Sequence, residues 1–305
     1  ESQLSAGNGG IAAPRLNDKV SPDSKQNRAS MLQEIATRLK NGEINLPAFP
    51  SISIKLDKLM QNDATLEEIA ALLKKDMAVS AKLISVANSP RYGGIRQSAT
   101  VEQAISVLGL STAKEFVDVI ANRSLYTVSN PRYQSELNDL WKHGLACAQA
   151  SRLIAESAKL AKPGEVFFTG LLHDIGKLLL LQIISELQTK NVIDPNVSQD
   201  SLDEFILKQH GLFGRKLIEI WKLPSPVAHV AHYHMSIDKA PTASHELRAV
   251  YLGNMLAKRA GYGTYKADKN DDQVINSAKH LGLDMASIEE IQGKLEAFME
   301  EINFD

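Results

Sequence analysis

The sequence predicts an all-α protein, and three observations carry that prediction. From Met31 onward, apolar residues recur at helical spacing almost throughout. The interruptions coincide with helix start and stop signals such as Thr65-Leu66-Glu67-Glu68, Asn41-Gly42 and Asn88-Ser89-Pro90. The alternation that marks a half-buried strand is almost absent.

Residues 1–28 are rich in Ser, Gly, Asn, Pro and charge, without apolar period, and read as a flexible tail or the end of a linker. They lack the apolar core of a signal peptide. Met31 to Lys40 reads as a first helix, closed by Asn41-Gly42. Leu46-Pro47-Ala48-Phe49-Pro50 is a rigid connector, after which Ser51 is expected to cap a helix reaching about Gln61. Thr65, with Glu68 three residues on, forms a capping box for the next helix. Asp76 opens another, carrying Met77, Val79, Leu83, Ile84 and Val86.

After Gly93-Gly94, helices are expected near 101–108 and 111–124, then a long one over 133–160. A single helix over 165–188 carries a His-Asp pair, and others fit 201–222, 224–235, 243–261 and 284–303. Short helices over 29–130 and longer, histidine-bearing ones over 131–262 suggest two lobes of one domain, with a helical extension over 263–305. No internal repeat emerges.

Apolar residues make up 44% and charged residues 23%, the balance of an ordinary globular chain. A net charge of −2 argues against a general nucleic-acid or membrane-surface binder. No apolar run is expected to reach the ~20 residues that span a bilayer. The lone cysteine, Cys147, leaves no internal disulfide and fits a reducing cytoplasm. It reads as a small buried hydrophobe, and Trp141 and Trp221 as core anchors. There is no P-loop and no dinucleotide fingerprint.

The chemistry concentrates in Thr169-Gly170-Leu171-Leu172-His173-Asp174-Ile175-Gly176-Lys177, where a His-Asp pair and a lysine interrupt apolar sequence. Buried charge is expensive and needs a partner, a metal or a reaction. An adjacent imidazole and carboxylate suit a divalent ion that accepts nitrogen and oxygen donors. On a helix, Lys177 shares the face of His173. Asp139 and His143 lie one turn apart, although an exposed carboxylate beside a partly buried histidine is the plainer reading of that pair. Of the 8 histidines, His143, His173, His210, His229, His232 and His234 fall in this helical stretch. His229, His245 and His280 read as surface or satisfied core residues.

This run resembles the signature of the HD superfamily of metal-dependent phosphohydrolases, and the order His…His-Asp…His…His is similar to its HD-GYP and HDOD branches. The HDOD resemblance covers nearly all of residues 40–260. It rests on Leu46-Pro47-Ala48-Phe49-Pro50, Ile69-Ala70, Lys75-Asp76, Lys82-Leu83-Ile84 and Ala87-Asn88-Ser89. It continues through Glu102-Gln103-Ala104-Ile105, Leu108-Gly109, Gly211, Leu217, Trp221 and Leu223-Pro224.

The resemblance implies an HD-domain-like multi-helix bundle with an N-terminal helical lobe. It maps metal ligands onto His143, His173, Asp174, His210 and His234, with Asp174 and Lys177 as catalytic candidates. It puts Met235 where a second late histidine stands and Asn254 where the last aspartate stands. Asp139, His232 and Asn254 remain as weak or supporting ligands.

Two functions compete. One is a bacterial signalling module, joined to an upstream sensor or receiver domain or to signalling proteins, that acts mainly by interaction. The other is a metal-dependent phosphohydrolase acting on a nucleotide or phosphodiester. Either implies a divalent ion, with iron, manganese or zinc ahead of magnesium, bound partially and easily stripped. A nucleotide or phosphate ligand fits both.

Overall fold

Side-chain caps fix where many of the helices begin. Thr65 accepts from the Glu68 amide while Glu68 returns a bond to Thr65, and Asp76 accepts from the Val79 amide at 3.0 Å. Thr100, Ser198 and Ser244 do the same for later helices. Pro50, not Ser51, occupies the cap of the second helix; its ring fixes φ at −58°, and Ser51 is the first helical residue.

The structure is a computed structural model describing residues 31–39, 41–93, 97–128, 130–263 and 271–301. The expected tail over 1–28, and Gly94 of the Gly93-Gly94 pair, lie outside the described residues. Among the described residues there is no strand. The order is α1 (31–39), α2 (Ser51–Gln61), α3 (Leu66–Leu73), α4 (Met77–Ala87), α5 (Val101–Leu108) and α6 (Leu110–Arg123). Then follow α7 (Gln134–Ser157), α8 (Pro163–Leu172), α9 (Ile175–Thr189), α10 (Gln199–Ile220) and α11 (Ser225–Tyr233). α12 (His245–Arg259), α13 (Asp271–Lys279) and α14 (Met285–Glu301) complete the chain. α13 had no counterpart in the sequence reading: its nine polar-rich residues carry little apolar signal.

The expected single helix over 165–188 is two, α8 and α9, separated by His173 and Asp174. His173 Nδ1 bonds the Gly170 carbonyl at 2.7 Å, the acceptor that a continuous helix would offer to the Asp174 amide. The side chain thus competes with the helix ladder and stops it. The combined stretch Pro163–Thr189 is long and apolar enough to cross a membrane by length and composition, contrary to the expectation from sequence. In this fold 83% of its apolar window is buried, so it serves as a core element.

One apolar core runs through α1–α11 and takes in Phe298 of α14, and a second is shared mainly by α7, α12, α13 and α14, with Val166 of α8 and Val230 of α11. α7 contributes to both and holds them together. Its Ser151 and Cys147 carbonyl pack against Gly253 so closely that a Cβ on Gly253 would collide with Ser151. A Cβ on Gly176 would likewise strike the His210 carbonyl, so α9 and α10 touch backbone to backbone.

Between the first helices and α7, Glu115 pairs with Arg152 at 2.5 Å, and Arg152 also holds Glu156 at 2.9 Å. Two long-range clips join distant segments. Trp221 Nε1 donates to the Pro47 carbonyl at 2.8 Å, with Phe49 packed on both Trp221 and Phe168. The Arg91 amide donates to Glu301 at 2.6 Å, and the Arg91 guanidinium lies 5.6 Å from the Phe298 ring centre.

Candidate metal centre

Five side chains from four places in the fold meet around one carboxylate. His143 comes from α7, His173 and Asp174 from the α8–α9 break, His210 from α10, and His234 from the C-terminal end of α11. All five are buried. Asp174 Oδ2 lies 3.4 Å from His143 Nε2 and 3.3 Å from His173 Nε2, and Oδ1 lies 3.1 Å from His234 Nε2 and 3.5 Å from His210 Nε2. Two triads that could each hold an ion, His143–His173–Asp174 and Asp174–His210–His234, therefore share Asp174. Lys177 Nζ, one turn into α9, donates to Asp174 Oδ2 at 2.7 Å.

The histidines are oriented alike. Each presents Nδ1 to a backbone carbonyl: His143 to Tyr262 at 3.0 Å, His173 to Gly170 at 2.7 Å, His210 to Ile206 at 3.0 Å, His234 to Ala231 at 3.0 Å. A carbonyl only accepts, so the proton belongs on Nδ1 and the Nε2 lone pair is left facing Asp174. This is the backing that metal-binding histidines use. It also puts the Nε2 atoms of His210 and His234 3.2 Å apart, lone pair against lone pair. His143 Nε2, His173 Nε2 and Asp174 Oδ1 are buried without a hydrogen-bond partner. A cation among these atoms would satisfy all of them, so the residues fit a divalent ion.

The electrostatics agree. Burial pushes His210 down to about 3 and lowers His173 and His234 as well, keeping the rings neutral and able to donate. Burial alone would raise the Asp174 carboxyl, but the Lys177 ammonium holds it well below the usual carboxylate range.

Asp139 does not join the site. It is exposed, because at that level the inner face of α7 is filled by Leu137, Leu140 and Trp141. His232 is also outside both triads. It lies half-buried and edge-on to Tyr233, 4.4 Å between ring centres, and two residues of helical rotation turn it away from the direction of His234. Asn254 is buried with Oδ1 unpartnered, and its Nδ2 lies 3.7 Å from Met235 Sδ.

One contributor escaped the sequence reading. Lys258, one turn after Asn254 on α12, is half-buried, and burial followed by the neighbouring Lys177 charge holds its ammonium below the usual lysine range. The i, i+4 spacing from Asn254 was the available signal.

Residues 46–237 match the HDOD domain. The chain belongs to the HDOD family. The match opens at Leu46, where the Leu-Pro connector begins, and includes the five residues of the centre. This HDOD protein is 25% identical over 206 residues to an uncharacterized protein of Treponema pallidum (strain Nichols), spanning 65% of this chain and 39% of the relative's length. Its fold is shared by an HDOD domain protein of unknown function from Geobacter sulfurreducens, with a TM-score of 0.72 at 23% identity over 92% of this chain and 100% of that one. It is shared too by a "Putative metal-dependent phosphohydrolase" from Shewanella amazonensis SB2B, with a TM-score of 0.71 at 18% identity over 90% and 99%.

Proposed function

We propose that this HDOD chain is a bacterial, cytoplasmic signalling module whose buried His-Asp centre holds a divalent ion as a regulatory element rather than for turnover. One observation carries the reading: the carboxylate shared by both triads is enclosed, and Lys177 already sits 2.7 Å from its Oδ2. A group held in that way is suited to retaining an ion. Asn254, uncharged where the family resemblance implies aspartate, points in the same direction. Because the chain spans 39% of its Treponema relative, a sensor or receiver partner in a longer protein accords with this role.

The second reading is a metal-dependent phosphohydrolase acting on a nucleotide or phosphodiester. Its support is the pair of triads sharing Asp174, a two-ion arrangement, together with the name of the Shewanella protein that has this fold. A divalent ion there would supply Lewis-acid polarisation and lower the pKa of a bound water. His143, His173, Asp174, His210 and His234 would hold it, and Lys177 would offset charge on a phosphoryl oxygen.

Elemental analysis combined with a phosphodiesterase and phosphatase screen separates the two. The signalling reading expects a bound first-row ion, partly lost to chelators, with weak or undetectable hydrolysis. Robust turnover that disappears in His173→Ala and Asp174→Ala would overturn it.

A further inference from the structure

Among the side chains that contact Asp174, Lys177 is the one that reaches towards solvent. Its side chain is 11% exposed, against 5% or less for the four histidines. The space it reaches is a small cavity between α7, α9 and α10, walled by Leu140, Leu181 and Leu207 and carrying Glu136 and Asp203. Leu207 is 39% exposed and both acids are half-buried, so the cavity opens outward. Its volume is about 30 Å³. That holds a water or two or a small ion, and is about a tenth of the smallest ordinary small-molecule site.

At the inner end of the cavity, Lys177 Nζ holds Asp174 Oδ2 at 2.7 Å. The same oxygen faces His143 and His173, whose Nε2 atoms are buried without a hydrogen-bond partner. A divalent ion that takes Oδ2 has to displace the ammonium from it. Further out, Gln199 ties the two acids together, its Nε2 donating to Asp203 at 2.8 Å and to Glu136 at 3.5 Å. No lysine or arginine pairs with either acid among the described residues. The Arg132 guanidinium, whose charge is felt at Glu136, is turned instead to the Pro195 carbonyl and to Gln199. Burial, and then the Asp203 charge, raise the Glu136 carboxyl, as expected of two carboxylates facing one confined space.

We propose that this cavity is the port through which a divalent cation enters and leaves the buried centre, with Glu136 and Asp203 as the steering pair at its mouth and Lys177 as its gate. The inference rests on the ion-holding role proposed above and adds to it a path and the residues that set the rate of exchange. When the gate opens, the flexible Lys177 stem carries its ammonium from Oδ2 towards Glu136 and Asp203. The charge that drew the cation in thus receives the lysine that the cation displaces. Retention of the ion is then kinetic, set by a narrow mouth and an occupied carboxylate.

The test is rapid mixing of Co²⁺ with the full chain, followed by the absorbance of the bound ion. Release is measured into excess EDTA, at a chelator concentration beyond which the rate no longer changes. Glu136→Gln combined with Asp203→Asn is expected to slow entry about tenfold at low ionic strength, the lower end of electrostatic steering, and to flatten its salt dependence. Release should slow as well, because the same two groups ease passage in both directions. Leu207→Trp narrows the mouth without changing charge. It should slow entry and release by equal factors and leave the equilibrium affinity as it is. Glu290→Gln, which removes an exposed carboxylate on α14, is the charge control and should keep wild-type rates.

Wild-type rates in both the charge variant and Leu207→Trp, with Co²⁺ still bound at equilibrium, overturn the port and leave the ion-holding role standing. Faster release with unchanged entry in the charge variant also overturns it, since the acids would then stabilise the bound ion from a distance. A wild-type chain that binds no Co²⁺ at equilibrium defeats the ion-holding role itself, and the port with it.

Discussion

Asn254 and Met235 touch each other, with the Asn254 amide nitrogen 3.7 Å from the Met235 sulfur. These are the two positions where the family resemblance implies an aspartate and a histidine. The departures therefore form a neutral, mutually contacting pair on α12 and just beyond α11, rather than two independent losses. The Asn254 amide gives its donor to the thioether and leaves Oδ1 unpartnered.

That pairing gives a non-additive expectation. Asn254→Asp alone places a buried carboxylate against a thioether and should lower stability without metal by about 1–3 kcal/mol. Added Mn²⁺ or Zn²⁺ should recover it. Asn254→Asp combined with Met235→His should bind metal more tightly than the single variants predict together. Metal titrations and melts of the four proteins form a double-mutant cycle; a coupling of zero would mean the contact has no bearing on the centre.

Lys177→Met removes the ammonium that compensates Asp174 in the buried centre. Breaking one side of a buried pair costs about 3–5 kcal/mol, and denaturant unfolding of the chelated protein should show a loss of that order. A divalent ion should restore part of the stability by taking over the carboxylate. Equal stability of variant and wild type without metal would contradict the arrangement described.

Asp139→Asn should change neither stability, beyond about 0.5 kcal/mol, nor metal affinity, since Asp139 is exposed. His173→Ala, one layer deeper, should lose metal altogether. Comparing the two by elemental analysis checks which acidic and imidazole groups belong to the centre.

Glu115 sets a pH dependence remote from the metal. Burial raises its carboxyl to about 7 against the opposing pull of Arg152, with Glu156 and Asp118 adding repulsion. A carboxyl raised on folding is most compatible with the fold when protonated. Its stabilising share is full below its ordinary value of 4.5 and is lost as pH rises through about 7. Glu115→Gln should flatten that part of the stability profile, removing a slope of at most about 1.4 kcal/mol per pH unit. Denaturant midpoints between those limits would check it.

Gly176→Ala should destabilise by about 1–3 kcal/mol, because the added methyl meets the His210 carbonyl and must push α10 away from α9. The same displacement moves His210, so weakened metal uptake should accompany the lower melting temperature.

The helical architecture was legible because its signals are local: apolar period, caps and stops are all written within a turn or two of each element. The centre was legible through His143, His173, Asp174, His210 and His234, whose order along the chain resembles a known pattern. What the sequence hid depended on tertiary direction. Asp139 has the right spacing from His143, yet the inner face at its level went to Leu137, Leu140 and Trp141. The break at His173 was masked by a continuous apolar run, since the competing hydrogen bond to Gly170 leaves no mark in composition. Lys258 was missed because a solvated lysine near a helix end is the ordinary case, and only the pairing of α12 with α7 makes it otherwise.

The two clips, Trp221 to Pro47 and Glu301 to Arg91, interleave along the chain, for the second begins inside the span of the first and ends outside it. On a ribosome neither can close when its first partner appears. Pro47 and Phe49 wait for residue 221, and Arg91 waits for residue 301, with each closure working against the entropy of a long loop. The early helices are thus made first and secured last. A chain halted before Trp221 would lack both clips together with His234, so the clasp on the opening connector gains its last partner at Trp221 and the metal centre follows at His234.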